Sequence, residues 1–414
     1  MNISSKIIGI IIISLVVGIA IGYVIGNTEE SKRSIIPEQS NKTTIGLILP
    51  LSGDLSTHGE ENWEGAKLGI ADFNEHLEEL DAEWRLEMIS EDSATNPGIA
   101  REKINHLYSK GIDIIVGPET SENTEKVRKY SDSNDMLLVS CCSSAPALSI
   151  PNDSVFRLVP DDTHQGTALA KLIHHEEIKV IIPIWREDTW GKGLSGTISK
   201  SFGKLGGIVD PGISYDAESP EFSASTSLLA EKVQKYVDEY QEDKVAVVFL
   251  GFAEILKFTQ AASEHNILDD VRWFGPGAVT KEQKLVENPI GLEFSTNVEL
   301  TTVQVTVTKN ETYERVKDIL TEKLGRDPST FAYSSYDAVW IIGLAMLESN
   351  STEASIIKAK IPEIAENHKG AIGLTKLNSA GDLEQADYDI WGIRNGEWIL
   401  LGKYVQETES IIIK

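Results

Sequence analysis

The residues with most chemistry to offer lie between positions 112 and 146, in two short loops. Glu119 to Asn123 follows the apolar run 112–116 and the turn Gly117-Pro118. Ser140-Cys-Cys-Ser-Ser144 follows the second apolar run, 136–139. Both loops carry small side chains and backbone groups able to hydrogen-bond, and they read either as ordinary caps and turns or as a binding site. No catalytic spacing accompanies them: HExxH, CxxC, Gly-x-Ser-x-Gly and P-loop patterns are missing from the sequence, so an enzyme is not expected. Glu91-Asp92 and Asp161-Asp162 are paired acids that read as helix caps or hinge hydrogen bonds. His174-His175, next to Glu176-Glu177, reads as a solvated helix end. Cys141 and Cys142 are the two cysteines of the chain. A bridge between neighbours would close a strained ring and staple nothing distant, so they read as loop-packing residues, and no metal or cofactor is expected.

Loops of this kind bind ligands when they leave the carboxyl ends of parallel strands. The chain supplies such strands. Residues 44–50 form an apolar run, followed by a helix whose core face carries Trp63, Ala66, Ile70, Phe73 and Leu77. Trp84, Leu86 and Met88 alternate with polar residues as a strand, and Asn96-Pro97 opens the next helix, which Gly111 stops. The alternation restarts with strands at 180–184, 208–215, 245–250 and 271–277, separated by helices. Two runs of βα alternation predict an α/β protein with two parallel sheets. Beyond Thr280 the pattern predicts a strand over 291–297, then helices. The apolar stretch 331–347 carries Ser334, Ser335 and Asp337 and reads as a buried helix. Asn395-Gly396-Glu397 joins two closing strands as a hairpin.

The chain has 414 residues, 41% of them hydrophobic and 25% charged, a globular composition long enough for more than one domain. Its net charge of −26 argues against nucleic acid as a partner, since phosphate binding needs basic stripes. Residues 7–25 are apolar apart from Ser14, and Lys6 precedes them. This predicts one N-terminal transmembrane helix or a signal within 1–26, with the bulk of the chain outside the cell, after a polar linker over 27–43.

The order of landmarks resembles the binding proteins of branched-chain amino-acid ABC transporters, the type I "Venus flytrap" family. The matching pieces are Ile45-Gly to Leu49-Pro-Leu-Ser-Gly53, His58-Gly59, Glu91-Asp92, Gly117-Pro118 with Ser121, Leu138-Val-Ser140 with Ser144-Ala-Pro, Phe156-Arg157, Asp188-Thr-Trp-Gly-Lys-Gly193, Phe274-Gly-Pro276 and Tyr336-Asp-Ala-Val339. The resemblance covers about residues 44–404. It implies two Rossmann-like lobes joined by three crossovers near 159–162, 277–280 and 369–373. Lobe one would be 44–159 with 280–370, lobe two 160–279 with 371–405, and 406–414 a tail. It also implies a small-molecule ligand held in the cleft and delivered to an ABC permease. The alternatives are a ligand-sensing ectodomain of the same fold and a binder of short amides or urea-type compounds.

Carried over residue by residue, Ser121 would receive the ligand carboxylate. Cys142 and Ser144, with Ser143 between them, would contact carboxylate and amine. His58 takes the place of a tyrosine, and Trp190 and Phe252 would enclose the ligand from lobe two. The family's amine-binding glutamate is Gly277 here, so another acid must hold an α-ammonium, with Asp188 and Glu254 the nearby choices. Glu119 and Glu122 flank Ser121 and disfavour a dianion, which leaves a neutral or zwitterionic ligand.

Overall fold

The computed structural model describes residues 42–414. The expected N-terminal helix and most of the linker lie outside these residues, and no helix among the described residues is long and apolar enough to cross a membrane.

The first lobe is a parallel sheet in the order β2-β1-β3-β4-β5. Its strands are β1 (Lys42–Leu49), β2 (Arg85–Asp92), β3 (Ile114–Val116), β4 (Leu137–Ser140) and β5 (Val155–Arg157). Helices α1 (Ser56–Glu79), α2 (Pro97–Ser109) and α3 (Ser121–Ser133) alternate with them. Both faces of the sheet are covered. Ile45, Leu47 and Leu49 point into one core, and Ile48, between them, points into another. That is why β1 reads as a continuous apolar run rather than an alternating one.

The second lobe begins with α4 (Asp162–His175) and β6 (Val180–Arg186), then α5 (Thr189–Lys204). The strand expected over 208–215 is two short ones, β7 (Ile208–Val209) and β8 (Ile213–Tyr215), both pairing with β6. Next come α6 (Ser223–Tyr240), β9 (Val245–Leu250), α7 (Ile255–Ala262), α8 (Asn266–Asp269) and β10 (Arg272–Gly275). In β9, Val245, Val247 and Phe249 enter one core while Ala246, Val248 and Leu250 enter the other.

Residues 291–297, expected as a strand, are instead the body of α10 (Pro289–Asn297), which follows the short α9 (Gln283–Glu287). Asn288 caps α10 by accepting from the amides of Ile290 and Gly291, with Pro289 at its first position. An N-cap followed by proline commits the chain to helix. Strand β11 (Thr301–Val305) then pairs with β10, so sheet two continues well past the crossing expected at 277–280.

The chain returns to lobe one as α11 (Glu311–Leu324), α12 (Thr330–Ser349) and α13 (Ala354–Asn367). The apolar α12 is a buried helix packed on α1. Glycine permits their close approach: a Cβ at Gly65 would stand 2.1 Å from the Ala332 carbonyl oxygen. A small hairpin follows, β12 (Lys369–Gly370) and β13 (Gly373–Leu374), and Asp337 of α12 accepts from the amides of Ala371 (2.7 Å) and Ile372 (2.8 Å) there. The last strands, β14 (Tyr388–Arg394), β15 (Glu397–Val405) and β16 (Ser410–Ile413), add antiparallel to β11. The segment expected as a tail therefore carries a sheet strand.

Candidate functional site

The two small polar loops meet between the lobes. Thr120 caps α3 by accepting from the Asn123 amide (3.1 Å), which leaves the first amides of the helix facing outward beside Ser121. The Ser121 hydroxyl oxygen accepts from the amides of Ser144 (3.2 Å) and Ala145 (3.0 Å), and Ser143 Oγ reaches it at 3.4 Å. With its acceptor side committed to the neighbouring loop, Ser121 keeps its own proton to donate. Ser140 shapes that loop: its hydroxyl donates to the Pro118 carbonyl (2.6 Å) and accepts from the Ser143 amide (3.1 Å). Arg157, fully buried, donates to the carbonyls of Ser143 (3.2 Å) and Ala145 (2.9 Å) and pairs with Asp382.

Cys141 and Cys142 are bonded to each other. They remain residues of the loop, joined by a bond that the sequence reading did not predict. The bridge staples nothing distant; Cys142 is on the cavity wall and Cys141 is fully buried behind it.

The cleft holds a cavity of ≈ 60 Å³ whose walls include His58, Ser121, Cys142, Ser144, Trp190, Phe252 and Gly277. A water needs about 10–15 Å³ by this measure, so the room is for a compact ligand. Trp190 and Phe252 stack obliquely on the lobe-two side, centroids 4.8 Å apart. Two expected residues stand elsewhere. Ser143 is turned into the loop's own hydrogen bonds. Asp188 caps α5 through the Gly191 amide (2.7 Å) and pairs with Arg186, facing a neighbouring groove.

Neither acid expected to replace the one missing at Gly277 is free. Arg186 sits between Asp188 (2.5 Å) and Glu254 (3.0 Å) and stacks on Phe252, 3.9 Å from the ring centroid. Gly277 itself has little space: a Cβ there would meet the Val303 carbonyl at 3.2 Å and Gln165 Oε1 at 3.4 Å.

The acids that do line the cavity are Glu119 and Asp162. Asp162 Oδ2 accepts from Ser144 Oγ (2.9 Å) and Oδ1 from Gln165 Nε2 (2.5 Å). Gln165 in turn accepts from the Gly277 amide (2.7 Å), and Gln304 donates to the Gly277 carbonyl (3.2 Å). One hydrogen-bonded chain thus ties lobe one, the first crossover and the end of β10. Burial pushes the Asp162 carboxyl up to about 7, against the pull of Ser144 and Gln165. Burial likewise pushes Glu119 up to about 8, opposed by Asn62 and reinforced by the charge of Glu61. No Lys or Arg lines the cavity among the described residues.

Asp162, read from sequence as a cap, is a wall residue as well. Its place at the first crossover was the available signal. Phe331 and Tyr388 also line the cavity, and nothing local in the sequence marks them.

Comparison with known proteins places this architecture. The family model of the receptor family ligand binding region matches residues 64–396. A Leu/Ile/Val-binding protein of Rhizobium johnstonii is 24% identical over 353 residues, covering 84% of this chain and 90% of the relative. An uncharacterised protein of Methanocaldococcus jannaschii is 25% identical over 396 residues, covering 90% and 92%. Among solved structures, a leucine-binding protein of Thermotoga maritima superposes with a TM-score of 0.75 at 20% identity, covering 90% of this chain and 99% of that one. A solute-binding protein of R. palustris in complex with benzoate gives 0.72 at 17% identity, covering 90% and 97%. With two lobes, a cleft between them and a match that spans most of its length, the chain belongs to the type I periplasmic binding proteins of the Leu/Ile/Val-binding kind, the receptor family ligand binding region.

Proposed function

We propose that this protein captures a small amino-acid-like zwitterion between its lobes and delivers it to an ABC permease, without chemical change to the ligand. The observation that carries the reading is the pairing, at one cavity, of a donor set (Ser121 and the amides opening α3) with an acid on the first crossover (Asp162). The donors suit a carboxylate. Asp162, beside Ser144, suits the α-ammonium that Gly277 has no side chain to hold. Contacts from both lobes would then favour the closed arrangement. The apolar segment 7–25 supports tethering at the outer face of the membrane.

The test is a thermal-unfolding screen of the full-length chain against amino acids, short amides, urea derivatives and aromatic carboxylates. A ligand at a hundredfold excess over its dissociation constant stabilises by ~2.7 kcal/mol. Stabilisation by α-amino acids, and not by the amides or by carboxylates lacking the amine, is the expected result. No shift with any α-amino acid overturns the reading.

A further inference from the structure

The cavity has a second polar pole that a simple zwitterion leaves unused. Glu119 and Ser121 are two residues apart, but their side chains diverge. Ser121 turns to the 140–145 loop, whereas Glu119 turns to α1, where Asn62 Nδ2 donates to its Oε2 at 2.7 Å. His58 and Asn62 stand four residues apart on α1, hence on one face of it. Glu119 is 4% exposed, His58 2% and Asn62 0%.

Three polar atoms at or behind this pole lack a hydrogen-bond partner among the described residues. The second oxygen of Glu119 has none. Asn62 Oδ1 is buried and unpartnered, while its amide nitrogen donates to Glu119 and lies 3.4 Å from Cys142 Sγ, which fixes which way the amide faces. His58 Nε2 is also buried and unpartnered, and Nδ1 lies 3.4 Å from Ser329 Oγ; Nε2 is an acceptor in the tautomer whose proton is on Nδ1. Buried acceptors without donors are uncommon in native folds and ask for a partner. An ammonium offers donors and no acceptor, which suits the free oxygen of Glu119 and, in its Nδ1–H tautomer, His58 Nε2 on the cavity wall.

We infer that the ligand carries a second cationic group, an ammonium distal to the α-carbon, received by Glu119 with His58 beside it on the cavity wall and Asn62 holding the carboxyl from behind. This rests on the zwitterion reading above and sharpens it to a short diamino acid. The compact cavity sets the length, and Cys142 and Phe331 supply apolar wall for the intervening methylenes. The acidic lining and the net charge of −26 attract such a cation rather than repel it.

The test is titration calorimetry on the full-length chain with L-2,4-diaminobutyrate and L-ornithine, each against the uncharged isostere of matching chain length: norvaline for the first, norleucine for the second. Binding of a diamino acid about tenfold or more tighter than its isostere is expected, the lower end for a hydrogen bond to a charged group. The same titrations on Glu119→Gln are expected to reduce that preference by about tenfold while α-carboxylate recognition survives. Norvaline, norleucine or leucine bound as tightly as the diamino acids overturns the inference and leaves the zwitterion reading standing. Binding of no amino acid at all overturns both. The wild-type comparison decides the matter even where the variant fails to fold.

Discussion

Ser121 holds two jobs at once, and that shapes what its removal does. Its oxygen accepts from the amides of Ser144 and Ala145, and its proton is available to a ligand carboxylate. Ser121→Ala is therefore expected to weaken ligand binding by roughly 1.5–3 kcal/mol, the range for a hydrogen bond to a charged group. It is also expected to lower stability by about 1–3 kcal/mol, because two loop amides lose their acceptor. Calorimetry and urea unfolding read the two effects separately, and unchanged affinity would remove Ser121 from the binding role. Ser121 was legible in the sequence because a strand, a Gly-Pro turn and a helix start follow one another locally. Asp188 was misread for the opposite reason. Its partner Arg186 is close in sequence, but Glu254, which completes the ion triad, comes from another strand end. The Cys141–Cys142 bond was not legible either, since adjacency in sequence says nothing about the state of the two sulfurs.

At the scale of elements, hydrophobic period and caps carried most of the reading. The strand over residues 245–250 coincides with β9 because both its faces are buried and turn residues bound it. Residues 289–297 form a helix although their short apolar stretch fits either period, because the cap Asn288 with Pro289 at the first position decides for helix. The sheet membership of β11 could not be read locally, because it depends on which lobe the preceding helices pack against. Between elements, the largest single burden falls on Arg157, at the end of β5. It is fully buried, pairs with Asp382 at 2.5 Å and holds the carbonyls of Ser143 and Ala145. Arg157→Met would leave Asp382 charged without its cation, with only the Ser149 hydroxyl donating to it (2.6 Å), and release the binding loop. Removing one member of a buried pair costs about 3–5 kcal/mol, so the urea midpoint is expected to fall by a corresponding amount. A shift within experimental error would show that the loop and the crossover are held by other contacts.

For the whole molecule, the two cavity carboxyls make stability depend on pH before any ligand arrives. Both Asp162 and Glu119 are raised by burial, from 3.8 to about 7 and from 4.5 to about 8. The folded protein therefore keeps protons that the unfolded chain has already released. Their contribution is fully present below the unfolded values and is lost as pH rises through about 7 and then about 8. Each is worth on the order of a few kcal/mol over that window. The charged groups acting on them are Glu61 at Glu119, and Arg157 and Asp161 at Asp162. The ligand-free protein is expected to melt at a lower temperature at pH 8.5 than at pH 5.5. Self-repulsion from the net charge of −26 pushes the same way, so the decisive comparison is with the Asp162→Asn, Glu119→Gln double variant. That variant cannot ionise at either site and is expected to lose less of its melting temperature across the same range. Saturating cationic ligand should also flatten the wild-type curve, because a bound ammonium favours the ionised carboxylates that burial disfavours. Equal pH slopes in the wild type and the double variant would mean that the cavity acids do not set the stability of the empty cleft.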